Sequence, residues 1–232
     1  MSIQENLYEV RRRIEKACER SGRDPKEVTL IAVSKTKPVS MIEEAIAAGQ
    51  QVFGENRPQE LRDKFGCLPA GLKWHMIGHL QKNKIKYVVG RACLIHSIDS
   101  VELAQAVNEQ AAKCDVIMPV LVEVNAAGEE SKFGVSPGET EELIRQIAPL
   151  PHIHVNGLMT IAPNVEDPEQ NRQYFRLLKQ LCIDIAGKNI DNVSMIELSM
   201  GMTGDYEVAV EEGATFVRVG TGIFGDRRTG IL

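Results

Sequence analysis

The chain has 232 residues, 43% hydrophobic and 25% charged, with 27 basic against 32 acidic side chains and a net charge of -5. A chain of this size buries roughly 70 to 75% of its unfolded surface, so its core needs neither disulfides nor a structural metal. The acidic balance excludes a protein built mainly to neutralise nucleic-acid phosphates and points to a small-molecule partner. The opening residues Met1 to Glu5 carry no basic-then-apolar signal region, and no apolar run reaches the roughly 20 residues that span a bilayer. The five cysteines (Cys18, Cys67, Cys93, Cys114, Cys182) are odd in number and form no C-x-x-C pair. Reduced thiols and a cytoplasmic location, away from membranes, are expected.

In chain order, a charged helix is expected over residues 3–20, and apolar β-branched runs then alternate with segments of helical period. A strand at 28–34 precedes a helix at 39–48, and a strand at 51–54 precedes a helix at 58–65. Strands at 73–77 and 94–98 follow, then a helix at 101–113, a strand at 118–124 and a helix at 138–148. The last part reads as strand 154–160, helix 168–185, strand 194–198, helix 206–212 and strand 216–219. Eight short strands with helices before and between them indicate an α/β fold of the closed (β/α)8 TIM-barrel type. An open doubly wound sheet is the runner-up, but it would carry phosphate-binding glycines after its first strand, where none stands. With no low-complexity segment and no long Pro/Gly/Ser linker, residues 1–232 read as one barrel domain.

A barrel of this kind builds its site at the C-terminal ends of its strands. Lys35 closes the first strand and alternates with Val33 and Ile31. If that face is the interior, its ammonium is desolvated, which favours the neutral amine that attacks a carbonyl to form a Schiff base. The plain alternative is a lysine that snorkels to solvent. Ser199-Met200-Gly201-Met202-Thr203-Gly204-Asp205 follows the seventh strand, and Gly220-Thr221-Gly222 follows the eighth. Small residues and hydroxyls there can present N–H and O–H donors to a dianion, in the loops where barrels frequently bind phosphate. Turns that need glycine, with Thr203 or Asp205 as a helix N-cap, would account for the same residues structurally.

Arg218 alternates with Phe216 and Gly220, so if Gly220 faces the mouth its guanidinium points into the barrel just below and needs an acceptor. A strand carboxylate such as Glu197, or a heteroaromatic ring nitrogen of a ligand, would serve. Asn56 closes the second strand, where its amide can donate to a ring oxygen or simply serve a turn. His75 and His79 straddle a strand end, and His152 and His154 lie at the opposite end of the barrel, so no metal site is expected. The basic stretch Lys82, Lys84, Lys86 and Arg91 reads by default as the solvated face of a helix, with guidance of an anionic partner as the alternative.

Val33-Ser34-Lys35-Thr36-Lys37-Pro38, Phe53-Gly54-Glu55-Asn56, the run from Trp74 to Lys84, the run from Gly157 to Ala162, Leu198 to Thr203, and Val217 to Gly225 together resemble the pyridoxal phosphate homeostasis proteins over almost the entire chain. The resemblance implies a barrel like the N-terminal domain of alanine racemases, with pyridoxal 5'-phosphate (PLP) as cofactor held on Lys35 as a Schiff base. It further implies Asn56 near the ring, Arg218 facing the pyridine nitrogen, and Ser199, Gly220 and Thr221, with Thr203, around the phosphate. Thr203 stands where the family pattern usually has serine. Members are thought to buffer or deliver PLP, with apo PLP enzymes as partners, and so to affect amino-acid and keto-acid metabolism without established turnover. A monomer is expected. Ser131-Lys132-Phe133-Gly134-Val135 resembles the substrate-carboxylate segment of alanine racemases.

Two other functions use the same features: a racemase-like PLP enzyme acting on amino acids, and a barrel aldolase using Lys35 on a phosphorylated aldehyde. Against the racemase, the chain ends shortly after the eighth strand, and none of Tyr8, Tyr87, Tyr174 and Tyr206 stands in a segment resembling the racemase acid-base tyrosine.

Overall fold

The computed structural model describes residues 1–129 and 132–225. Its strands are β1 Thr29–Val33, β2 Val52–Glu55, β3 Lys73–Met76, β4 Ala92–Ile98, β5 Met118–Glu123, β6 Ile153–Met159, β7 Val193–Met202 and β8 Phe216–Val219. They pair in sequence order, all parallel, and β8 returns to β1 to close the barrel. The helices are α1 Ile3–Ser21, α2 Val39–Ala47, α3 Pro58–Cys67, α4 Val101–Lys113, α5 Thr140–Ile147, α6 Arg172–Ala186, α7 Tyr206–Glu211 and α8 Thr221–Phe224. Among these, none is long and apolar enough to cross a membrane, and all five cysteines are free thiols.

Local sequence explains the first helix. The Ser2 hydroxyl accepts the Glu5 N–H while the Glu5 carboxylate accepts the Ser2 N–H, satisfying two donors that a helix start leaves unpaired. Leu7, Val10, Ile14 and Ala17 then form the buried stripe that packs α1 on α7 and α8. Strand alternation divides the apolar residues into two sets. Leu30, Ala32, Phe53, Trp74, Met76 and Ile95 face the helices and belong to the main core, whereas Leu94, Leu121, Met159 and Phe216 form a separate cluster inside the barrel.

The structure departs from the sequence reading in three places. A 3-10 helix, Lys82–Tyr87, occupies the basic stretch between β3 and β4, and Thr221–Phe224 is a short helix rather than a loop. More consequential, β7 continues through Met202, with Ser199 opposite Phe216 and Met202 opposite Arg218. Gly201 permits this. It has a φ of 88°, and a Cβ there would fall 2.5 Å from the Ala209 Cβ, so only glycine lets α7 lie this close over the strand.

Candidate functional site

Register brings the expected residues to one end of the barrel. Val33 is level with Gly54 on β2, and Ala32 with Val219 on β8. Lys35 and Asn56 therefore follow two adjoining strands at the same end of the barrel as Gly220. A Cβ on Gly220 would sit 3.4 Å from the Val33 Cβ, so the two strand ends are in close contact.

The half-buried Lys35 sits in a turn braced from outside the barrel. The Ser34 hydroxyl donates to Glu55 Oε1 at 2.6 Å, and Lys64 Nζ donates to Glu55 Oε1 and to the Ser34 carbonyl, each at 2.7 Å. This ion pair is buried, with side-chain exposures of 8% for Lys64 and 0% for Glu55. Burial pushes the Glu55 carboxyl up, while Lys64 and the Ser34 hydroxyl pull in the opposite direction. The next residue, Thr36, has a φ of 63°, and its N–H is held by the Glu60 carboxylate at 3.0 Å. Lys37 Nζ donates to the carbonyls of Phe224 at 3.2 Å and Gly225 at 2.8 Å, welding the same turn to the end of α8. The amine of Lys37 is thus turned toward carbonyls.

Arg218 is 4% exposed and does point inward. Its acceptors are the Ser199 hydroxyl, 2.5 Å from Nη1, and the Thr160 carbonyl, 2.8 Å from Nη2. Glu197 does not serve it, because that carboxylate takes a hydrogen bond from Asn156. Burial lowers Arg218 to about 10, with Asp205 and Glu123 acting in the opposite sense. Ser199, expected among the phosphate hydroxyls, lies within β7 rather than in a loop after it. Since β7 runs on past it, its side chain is fully buried inside the barrel and engaged by Arg218 and His96.

Beneath Ser199 lies a group that the sequence reading missed. His96 Nδ1 is 2.8 Å from the Ser199 hydroxyl, and His96 Nε2 is 2.8 Å from His75 Nδ1. Burial lowers His75 to about 4 and holds His96 well below the ordinary histidine value. Alternation with Leu94 in β4 is the signal that could have placed His96 inside. Glu123 was also missed; burial first and Asp99 second push it up to about 7, opposed by Arg218.

Thr203, Gly220 and Thr221 do meet at the rim. The Thr203 hydroxyl accepts from the Gly220 N–H at 3.3 Å and the Gly222 N–H at 3.4 Å, and Thr221 is exposed as the first residue of α8. Asp205 makes no N-cap bond; it accepts from the Met202 N–H and from Asn171, fixing the β7–α7 turn. Asn56 Oδ1 is buried without a hydrogen-bond partner, an acceptor that a ligand can satisfy. Asn56 also lines a cleft of about 540 Å³ with Arg57, Glu60, His79 and Lys84.

Ser131 lies outside the described residues. Lys132 beside it bonds the Ala162 carbonyl at 3.2 Å and pairs with Glu129 at 3.3 Å. His79 stacks on Phe133 with ring centroids 3.9 Å apart, and among the described residues no histidine, cysteine or carboxylate group is arranged to hold a metal. His154 bonds Asn192 and Ser194 at the far end of the barrel.

Residues 5–228 match the family model for the alanine racemase N-terminal domain. The pyridoxal phosphate homeostasis protein of Aquifex aeolicus is 46% identical over 229 residues, covering 98% of this chain and 100% of that one. Its counterpart from Escherichia coli K12 is 42% identical over 230 residues, covering 97% of each. The structure of PipY from Synechococcus elongatus PCC7942 with PLP bound superposes with a TM-score of 0.82 at 34% identity, covering 97% of this chain and 100% of PipY. A barrel with a lysine closing its first strand, a buried arginine on its eighth and full-length likeness of this degree leave one assignment: the chain belongs to the pyridoxal phosphate homeostasis protein family, within the alanine racemase N-terminal domain group.

Proposed function

We propose that this chain binds PLP at the barrel mouth and keeps it available to the cell, buffering or delivering it. Lys35 holds the cofactor as a Schiff base, Asn56 lies beside the ring, Arg218 faces the pyridine nitrogen, and Thr203, Gly220 and Thr221 receive the phosphate. The observation that carries this reading is the meeting, at one end of one barrel, of a strand-end lysine and a buried guanidinium with the orphaned Asn56 Oδ1. The residues fit the group: an amine for its aldehyde, donors for its phosphate, and polar atoms for its ring. The homeostasis role of the named relatives and the PLP bound to PipY support it.

PLP supplies an aldehyde carbon to the lysine and an electron-withdrawing ring to any substrate attached there. The protein's own contribution works against turnover. Arginine is a hydrogen-bond donor only, so Arg218 pairs with an unprotonated pyridine nitrogen and leaves the ring a weak electron sink. All four tyrosines lie in the outer layer, in α1, the Lys82–Tyr87 helix, α6 and α7, so the chain brings no tyrosine acid to the ring face opposite Lys35. The placement of the tyrosines, rather than Arg218, favours a carrier over a racemase. We further propose a cytoplasmic location, in keeping with the free thiols, and a monomer that serves apo PLP enzymes.

Titration of the PLP-free protein with PLP and with pyridoxal, followed by absorbance, tests the reading. Tight binding of PLP with a visible band, and much weaker binding of pyridoxal, is expected. Equal affinity for both would remove the phosphate site, and absence of any band would leave the aldolase reading in its place.

A further inference from the structure

The histidine pair inside the barrel deepens the PLP assignment, and its effect on ligand affinity rests on that assignment. Ser199 Oγ is fully buried and, among the described residues, meets two groups: Arg218 Nη1 and His96 Nδ1. Arginine cannot accept a hydrogen bond, so Arg218 donates to Ser199. The hydroxyl's own proton, which would otherwise be buried unpaired, must then go to His96 Nδ1. That fixes both imidazoles. With Nδ1 accepting, a neutral His96 carries its proton on Nε2 and donates it to His75 Nδ1, so His75 also carries its proton on Nε2.

We propose that Ser199, His96 and His75 form a one-directional hydrogen-bond chain that positions Arg218 for a ligand ring nitrogen. Every hydrogen bond in it points the same way, from the guanidinium toward β3. Two of the five arginine donors are spent on Ser199 and the Thr160 carbonyl. These bonds fix the plane of the guanidinium and hence the direction of its remaining N–H groups. The two imidazoles are backed by Phe216, whose ring centroid is 5.3 Å from that of His75 and 5.8 Å from that of His96. A hydroxyl alone would leave Ser199 free to rotate its proton; the imidazole at 2.8 Å holds it in one orientation. Ser199 and the histidines are thus positioning residues, acting on the ligand only through Arg218.

Long-range proton–nitrogen NMR on uniformly 15N-labelled protein, freed of PLP, reads the tautomers directly, with single His→Gln variants assigning the rings. The proposal expects both His96 and His75 to be neutral with the proton on Nε2. A proton on His96 Nδ1, or an imidazolium at neutral pH, overturns it whether or not the chain binds PLP. The effect on the ligand is read by affinity. His96→Asn can return an acceptor near the Nδ1 position and should hold PLP within about twofold of the parent, whereas His96→Leu, similar in bulk but without an acceptor, should lose about tenfold or more. Equal losses in both variants, with dispersed amide spectra showing each is folded, would make the histidine mere packing and overturn the positioning role.

Discussion

Replacing Glu123 with glutamine should stabilise the PLP-free protein at alkaline pH and leave it almost unchanged in acid. Glu123 is 5% exposed, and burial raises its carboxyl from 4.5 to about 7, with the attraction of Arg218 already opposing that rise. A difference of that size between folded and unfolded states corresponds to roughly 3 kcal/mol. The sign comes from proton counting: between about pH 4.5 and 7 the folded state keeps a proton that the unfolded state has released. The group's stabilising contribution is therefore fully present below the unfolded value and lost as pH rises through the folded one. Near pH 8 the parent carries the whole cost of an ionised carboxylate in the barrel, while glutamine keeps the shape without the charge. Urea unfolding of parent and variant, followed by circular dichroism from about pH 5 to pH 8, isolates this group because the other titrating residues are common to both. The expected gap widens with pH to as much as about 3 kcal/mol, or several degrees in Tm. A constant gap would indicate a packing effect, and a variant less stable than the parent at pH 8 would refute the reasoning.

Lys64→Met should cost about 3 to 5 kcal/mol, because it strands the Glu55 carboxylate in a buried site and releases the Ser34 carbonyl; denaturant unfolding measures it, and a loss below about 1 kcal/mol would contradict a structural role for the pair. Thr203→Val combined with Thr221→Ala should weaken PLP at least about tenfold while sparing pyridoxal, since each hydrogen bond to a charged group contributes roughly 1.5 to 3 kcal/mol. Loss of both ligands alike would move the phosphate elsewhere. The PLP-loaded protein should racemise alanine and serine, and exchange their Cα protons with deuterium, far more slowly than about 1 per second; faster turnover that disappears in Lys35→Ala would establish an enzyme.

The barrel was legible because eight apolar runs and their intervening helices carry distinct periods, and because alternation alone places Lys35 with Val33 and Arg218 with Gly220. The full length of β7 was not legible because glycine after a strand reads as a turn, whereas Gly201 serves a close helix–strand approach and the strand continues past it, with Ser199 inside it. The acceptors of Arg218 were not legible for a related reason: Ser199 and the Thr160 carbonyl reach it across the barrel, and the sequence supplies no distance between β6, β7 and β8. His96 looks like an isolated polar residue in an apolar strand until the closed sheet brings it against His75 and Ser199. The Glu55–Lys64 pair is hidden likewise, since nothing in the spacing of a strand end and a helix announces that one ammonium spans both Glu55 and the Ser34 carbonyl.

Attachment of the cofactor to Lys35 is the central claim. Borohydride reduction of the PLP-loaded protein, with subsequent proteolysis and mass spectrometry, locates the attachment. Loss of the visible band and a single pyridoxyl label on Lys35, absent in a folded Lys35→Ala protein, is the predicted result. A label carried mainly by Lys37 or any other lysine in the parent, or a visible band that survives in Lys35→Ala, would contradict it.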